Sequence, residues 1–152
     1  QGKNFLILTE AESLDTYPKL KMDLTLSTYA YHIIELVDKL TAENQENRIL
    51  YGHLIELLRR FSLNPRQILI RAFEAKILSI LGFISFQNPQ VPAHSTPRVE
   101  AILHDLEYKS WDEIMETEIN QKEAMELERV LRYHLERVIE GSLKSRQFLK
   151  KL

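Results

Sequence analysis

The chain has 152 residues, with 20 Lys+Arg against 22 Asp+Glu and no cysteine. That is the size of one ordinary domain, and 44% hydrophobic with 28% charged residues excludes a disordered chain. The missing thiols exclude disulfides, a thiolate zinc site and a cysteine nucleophile, in keeping with a reducing cytoplasm. No apolar run approaches the roughly 18 residues of a membrane span, and no leader pattern is present.

Four Gly and five Pro leave few positions for tight hairpins, so helix is the expected state throughout. The exception is the opening run Lys3–Thr9 (KNFLILT), whose β-branched and aromatic members read as a strand. One strand cannot pair with itself, so it either docks on helices or belongs to a sheet outside this sequence. Helical spacing begins at Thr16-Tyr17-Pro18 and continues to Leu40 through Leu20, Leu24, Ala30, Ile33, Ile34 and Val37. AENQEN (42–47) is a polar break before a second helix with Ile49, Leu50, Leu54, Leu57, Leu58 and Phe61 on one face.

Asn64-Pro65 reads as an N-cap followed by proline at the first helical position. The third helix it opens is apolar nearly all round and is stopped by Gly82, the pattern of a helix central to a bundle. Three prolines between residues 84 and 97 mark a loop or crossing segment. Thr96-Pro97, Ser110 with Glu113, and Asn120 with Glu123 then announce three more helices, the last ending at Gly141. The predicted fold is an all-α bundle of about six or seven helices, closed by an amphipathic turn around Leu143, Phe148, Leu149 and Leu152.

Charge is polarised along the sequence. Residues 59–76 carry Arg59, Arg60, Arg66, Arg71 and Lys76 against Glu74, +5 − 1 = +4. Residues 98–121 carry two bases against seven acids, +2 − 7 = −5, so a basic face is compatible with the overall sign. No strand–Gly-rich–helix unit and no HExxH pair is present. His32 with Glu35, and His53 with Glu56, have same-face spacing, but a metal there needs a third ligand; ordinary surface or half-buried histidines are the simpler reading. Glu123, Glu126 and Glu128 read as a solvated face. No catalytic constellation emerges.

Three stretches in order carry a resemblance: YPKLKMDLTLSTYAYHIIELVDKL (17–40), RAFEAKILSILGF (71–83) and LERVLRYHLERVIEGSLKSRQFLKKL (127–152). Together they resemble the C-terminal helical domain of the RecO family, whose members carry an R-x-F-E phrase ending in L-G-Y/F and finish on L-K-S-R-x-F-L. The resemblance implies that residues 1–12 are the last strand and linker of a preceding oligonucleotide-binding (OB-type) barrel, and 13–152 the helical domain. It further implies a non-enzymatic recombination mediator in DNA repair that anneals strands, works with RecR and helps load RecA. The partners the resemblance implies are single- and double-stranded DNA and the acidic tail of single-strand-binding protein. The four-cysteine zinc module of many members has no counterpart between Ile84 and Pro97, so no cofactor is expected.

Such a tail needs an apolar pocket and cations, and an Arg fork suits its terminal carboxylate. Arg71 is the first candidate, with Arg66 and Arg60 adding charge and Ile70 and Phe73 lining the pocket. The plain alternative for Arg71 is an i,i+3 partner of Glu74, and for Phe73 a place in the core. Lys144, Arg146, Lys150 and Lys151 are candidates for phosphate contact; the competing reading has apolar tail residues pin the segment while the cations face water, with Arg146 near helix-end carbonyls. The rival function is a generic helical protein-interaction domain with no DNA role of its own.

Overall fold

The structure is a computed structural model that describes residues 8–86 and 95–151. Among these, seven helices and no strand are present: α1 (Pro18–Met22), α2 (Leu24–Leu40), α3 (Arg48–Leu63), α4 (Gln67–Ile80), α5 (Pro97–Tyr108), α6 (Trp111–Met115) and α7 (Gln121–Lys151). The all-α expectation holds. The predicted strand lies mostly outside the described residues; its last two, Leu8 and Thr9, have no regular structure.

α4 is the axis of the bundle and packs against α2, α3, α5, α6 and α7. Ten of its fourteen residues are buried, Glu74 and Lys76 among them, as expected of a helix apolar nearly all round. Leu69, Ala72, Phe73, Ile77 and Leu78 have no exposed surface. Each large apolar side chain buried this way contributes about 1.5–3 kcal/mol.

Side chains set most of the helix ends. Thr96 caps α5 by accepting from Val99 N. Ser110 and Glu113 form a reciprocal capping box at α6. Asn120 and Glu123 do the same for α7, at 2.8 and 3.0 Å. At the far end of α4, Gly82 N donates to Ser79 O and Phe83 N to Leu78 O, the paired bonds of a left-handed glycine stop, with Gly82 at φ 76°.

Three boundaries differ from the sequence reading. The first predicted helix is two, because Asp23 takes an extended backbone and its carboxylate accepts from Leu26 N, capping α2 inside the periodic run. Asn64-Pro65 does not open α4. Asn64 is the last residue of α3's hydrogen-bonding ladder, donating to Arg60 O, and α4 begins at Gln67 after an extended Arg66. Gly141 does not end the last helix, since α7 continues through it to Lys151. The surrounding sequence of strong helix formers absorbs the roughly 1 kcal/mol that one glycine costs.

The two glycines therefore make opposite predictions. A Cβ at either position meets no atom within 4 Å, so only the backbone matters. Gly82→Ala forces a side chain into the left-handed region and should lower stability by about 1–2 kcal/mol. Gly141→Ala should raise it by about 0.5–1 kcal/mol. Denaturant melts of both variants read the signs directly, and a destabilised Gly141→Ala would mean the helix breaks there.

Candidate functional site

The charged side chains of α4 leave the helix in opposite directions, because residues two apart sit about 200° apart around its axis. Glu74 is 1% exposed and accepts from Arg71 Nη1 at 2.7 Å on Oε2 and 3.0 Å on Oε1; His32 Nε2 on α2 lies 2.7 Å from the same Oε1. Lys76 points to the other side. Its amine donates to Glu107 O (3.2 Å) and Lys109 O (2.9 Å), the free carbonyls at the end of α5, and lies 5.7 Å from the centre of the Trp111 ring. Burial pushes this amine below the usual lysine range. The indole of Trp111 donates to His53 Nδ1 at 3.0 Å, so that nitrogen carries no proton. Burial, seconded by Lys76, holds His53 below the ordinary histidine value.

Glu74, Arg71 and His32 open onto a groove of about 420 Å³ between α2 and α7. Tyr29, Leu36, Leu135 and Ile139 give it apolar walls. Its bases are Lys39, Arg71 and Arg132, its acids Glu35, Glu74, Glu128 and Glu136, −4 + 3 = −1 before His32 is counted. Each of the three bases is held by an acid of its own helix: Lys39 by Glu35 at 2.7 Å, Arg71 by Glu74 and Arg132 by Glu128. The hydrogen bond from Lys39 keeps Glu35 below the usual carboxylate range. This arrangement suits reversible polar binding along an apolar floor. Among the described residues no cluster of His, Asp or Glu has metal-ligand grouping.

The structure separates the three arginines singled out from sequence. Only Arg71 reaches the groove, and it also makes the i,i+3 pair with Glu74. Arg60 pairs with Glu56 of its own helix (2.5 Å) and ties α3 to α6 through Asp112 (2.8 Å). Arg66 donates to Met115 O and, at 3.1 Å, to Thr117 O, closing the open end of α6. Ile70 and Phe73 are 1% and 0% exposed and stand in the core rather than in a pocket wall. Arg59 pairs with Glu56 and Lys76 with carbonyls, so the basic segment 59–76 forms no open basic face. Lys144 is exposed and bridges Glu140 at 2.7 Å. Arg146, Lys150 and Lys151 lie on α7, with side chains outside the described residues.

Sequence reasoning missed the roles of His32, Arg66 and Lys76. A signal was present for the last: a lysine within an all-apolar helix must find a buried partner. Nothing local announced that Arg66 would reach α6, fifty residues on.

Comparison with known proteins places these elements. Residues 22–86, from the end of α1 through α4 and its glycine stop, match the family model described as "Recombination protein O C terminal". A protein named "DNA repair protein RecO" from Desulforudis audaxviator is 31% identical over 111 residues, covering 68% of this chain and 45% of the relative. The chain belongs to the RecO family. RecO proteins of the same printed name from Pelotomaculum thermopropionicum (32% identical over 83 residues, 55% of this chain and 32% of the relative) and Shouchella clausii (34% over 83 residues, 54% and 32%) agree. These alignments span less than half the length of the curated relatives. No solved structure matches the chain. Among the described residues no helix is long and apolar enough to cross a membrane.

Two predictions follow from the polar core of this RecO domain. Glu74→Gln leaves Arg71 and His32 without their anion and should cost about 2–3 kcal/mol, somewhat less than a fully enclosed pair because Arg71 faces the groove; urea titration measures it, and a cost below about 0.5 kcal/mol would show the pair to be a surface one. The second concerns pH. Burial holds both His53 and His134 below the ordinary histidine value in the fold. A depressed histidine pKa means the unfolded chain takes up protons first, so stability is complete above about pH 6.5 and declines as pH falls below it. Melting temperatures recorded from about pH 7.5 to about pH 5.5 should drop, and a His53→Gln/His134→Gln chain should show a flatter profile over that span.

Proposed function

We propose that this chain is the helical part of a non-enzymatic recombination mediator acting in DNA repair. The observation that carries the reading is the match of α2–α4 to the recombination protein O C-terminal model, with full-length relatives named for DNA repair. As partners we propose the acidic, apolar-ended tail of single-strand-binding protein, the RecR ring and DNA, with RecA loading as the outcome.

The groove between α2 and α7 is the seat we assign to the tail. Its floor takes the apolar end and Arg71, which holds Glu74 through Nη1 alone, takes a carboxylate on its remaining N–H groups. At Arg132 binding is an exchange, because an incoming carboxylate must displace the exposed Glu128. The gain is therefore modest, and the complex should be weak and salt-sensitive. RecR and DNA contact belong to the whole protein. Among the nominated phosphate contacts, the exposed Lys144 is held only by the equally exposed Glu140, a pair that water and salt loosen easily.

The reading is tested with a fluorescent peptide carrying an acidic, apolar-ended tail, titrated against wild type, Arg71→Ala and Arg132→Ala. Binding should weaken roughly tenfold, about 1.4 kcal/mol, in either variant and fall with added salt. Arg132 is exposed on α7 and its loss spares the core, so it stands as the folded control for Arg71. Wild type that stays folded and ignores the peptide at low salt would favour the generic helical interaction domain instead.

A further inference from the structure

His32 stands where the buried ion pair of α4 meets the groove between α2 and α7. Its Nε2 lies 2.7 Å from Glu74 Oε1, an oxygen that also accepts from Arg71. The Glu74 side chain is 1% exposed and that of His32 38%, so the imidazole joins the interior to the solvent. A carboxylate only accepts, so the proton between the two groups belongs to Nε2. That fixes the tautomer of the ring and leaves Nδ1 as the nitrogen that gains or loses a proton. Glu74 keeps its hydrogen bond in both states of the ring, and only the charge changes.

That charge falls in a finely balanced place. From α2 the groove receives Glu35 and Lys39, paired with each other, and the phenol of Tyr29. α4 supplies Arg71 with Glu74. α7 supplies Arg132 with Glu128, and the exposed Glu136. Three bases against four acids leave the groove at −1 with the ring neutral, and −1 + 1 = 0 with it protonated. Glu35 lies within reach of that charge: its carboxyl, held low chiefly by the hydrogen bond from Lys39, is lowered further by His32. Histidine is the side-chain type that changes charge between about pH 5 and pH 8. Among the described residues lining the groove, His32 is the one of that type.

We propose that carboxylate binding in this groove is proton-coupled: an acidic ligand is held together with a proton taken from solvent onto His32 Nδ1. The coupling rests on the groove being the seat of an acidic, apolar-ended tail, as proposed above, and adds how that seat is controlled. A neutral ring leaves a lone pair on Nδ1 inside a net negative groove, which disfavours a further anion. A protonated ring carries a second N–H and cancels the excess charge, while Arg71 stays with Glu74. The effect is mutual, because a bound carboxylate favours the protonated ring by the same factor that the protonated ring favours the ligand. The groove therefore grips its ligand more firmly as pH falls and releases it as pH rises.

The test titrates the full 152-residue chain with a fluorescent peptide carrying an acidic, apolar-ended tail, in low salt at about pH 8 and about pH 6. Circular dichroism verifies that each sample is folded. Wild type should bind about three- to fivefold more tightly at the lower pH, the scale of one added charge at a partly exposed site. His32→Gln keeps a donor for Glu74 but takes no charge, and its affinity should be the same at both pH values. His32→Lys is charged throughout and should bind at the higher pH as wild type does at the lower. Calorimetry in buffers of different ionisation enthalpy should register proton uptake on binding for wild type and none for His32→Gln. Peptide binding that ignores pH, or a pH dependence that persists in His32→Gln, would overturn the coupling and leave the groove as the seat of the tail. A folded wild type that binds the peptide at neither pH would remove the seat and the coupling with it.

Discussion

The bundle depends on a constraint that α4 imposes: a helix buried on nearly every side carries two charges, and each must find a counterpart in the interior. An unpaired ionised side chain in such a place costs several kcal/mol, so the neighbours of α4 are selected by what they bring to Glu74 and Lys76. On one side, Arg71 from the same helix and His32 from α2 meet the carboxylate. On the other, the end of α5 offers two carbonyls to the amine and α6 offers the face of Trp111. Apolar packing alone would permit α4 to rotate or slide among its neighbours with modest loss. The two charges, about 200° apart, make such rotations expensive and so fix the register of the whole assembly.

How far this was legible in the sequence depends on the range of the interaction concerned. Caps whose partner lies three residues away were readable: Thr96, Ser110 with Glu113, Asn120 with Glu123, and the glycine stop at Gly82. The misread ends are those where one residue type serves two purposes. Asn64 caps the end of α3 as readily as it would cap the start of α4, and nothing within four residues distinguishes the two. Asp23 interrupts a run whose apolar spacing continues across it, because the cap costs only one turn's worth of ladder. Gly141 breaks a helix only where the following residues do not favour continuing it, and GSLKSRQFLKK does.

The site was legible in its chemistry more than in its geometry. That a charged residue in the RAFEAKIL stretch needs a partner follows from composition; that Glu74 draws on α2 while Lys76 draws on α5 requires the fold. The grouping of Arg60, Arg66 and Arg71 rested on proximity in sequence. The structure sends the first two to α6 and only the third to the groove. Ile70 and Phe73 show the same limit: neighbours of Arg71 along the helix lie on other faces, which here means the core.

This also changes the meaning of the charge polarity. A segment of +4 and a segment of −5 in one chain suggest a basic face and an acidic face. Here they are largely used on each other and on helix ends. Arg60 reaches across to Asp112, Arg66 and Lys76 satisfy carbonyls at the ends of α6 and α5, and Arg59 and Arg71 are held by acids of their own helices. Cations so placed act as fasteners between helices. Recruiting Lys76 to a phosphate would open a buried contact at a cost that one exposed phosphate contact in salt does not recover, and recruiting Arg60 or Arg66 would cut a tie between helices. The DNA contact proposed above would therefore have to draw on cations whose present partners are exposed and weak. Among those nominated from the sequence, Lys144 near the end of α7 meets that condition, and its bond to Glu140 is the kind that water and salt loosen first.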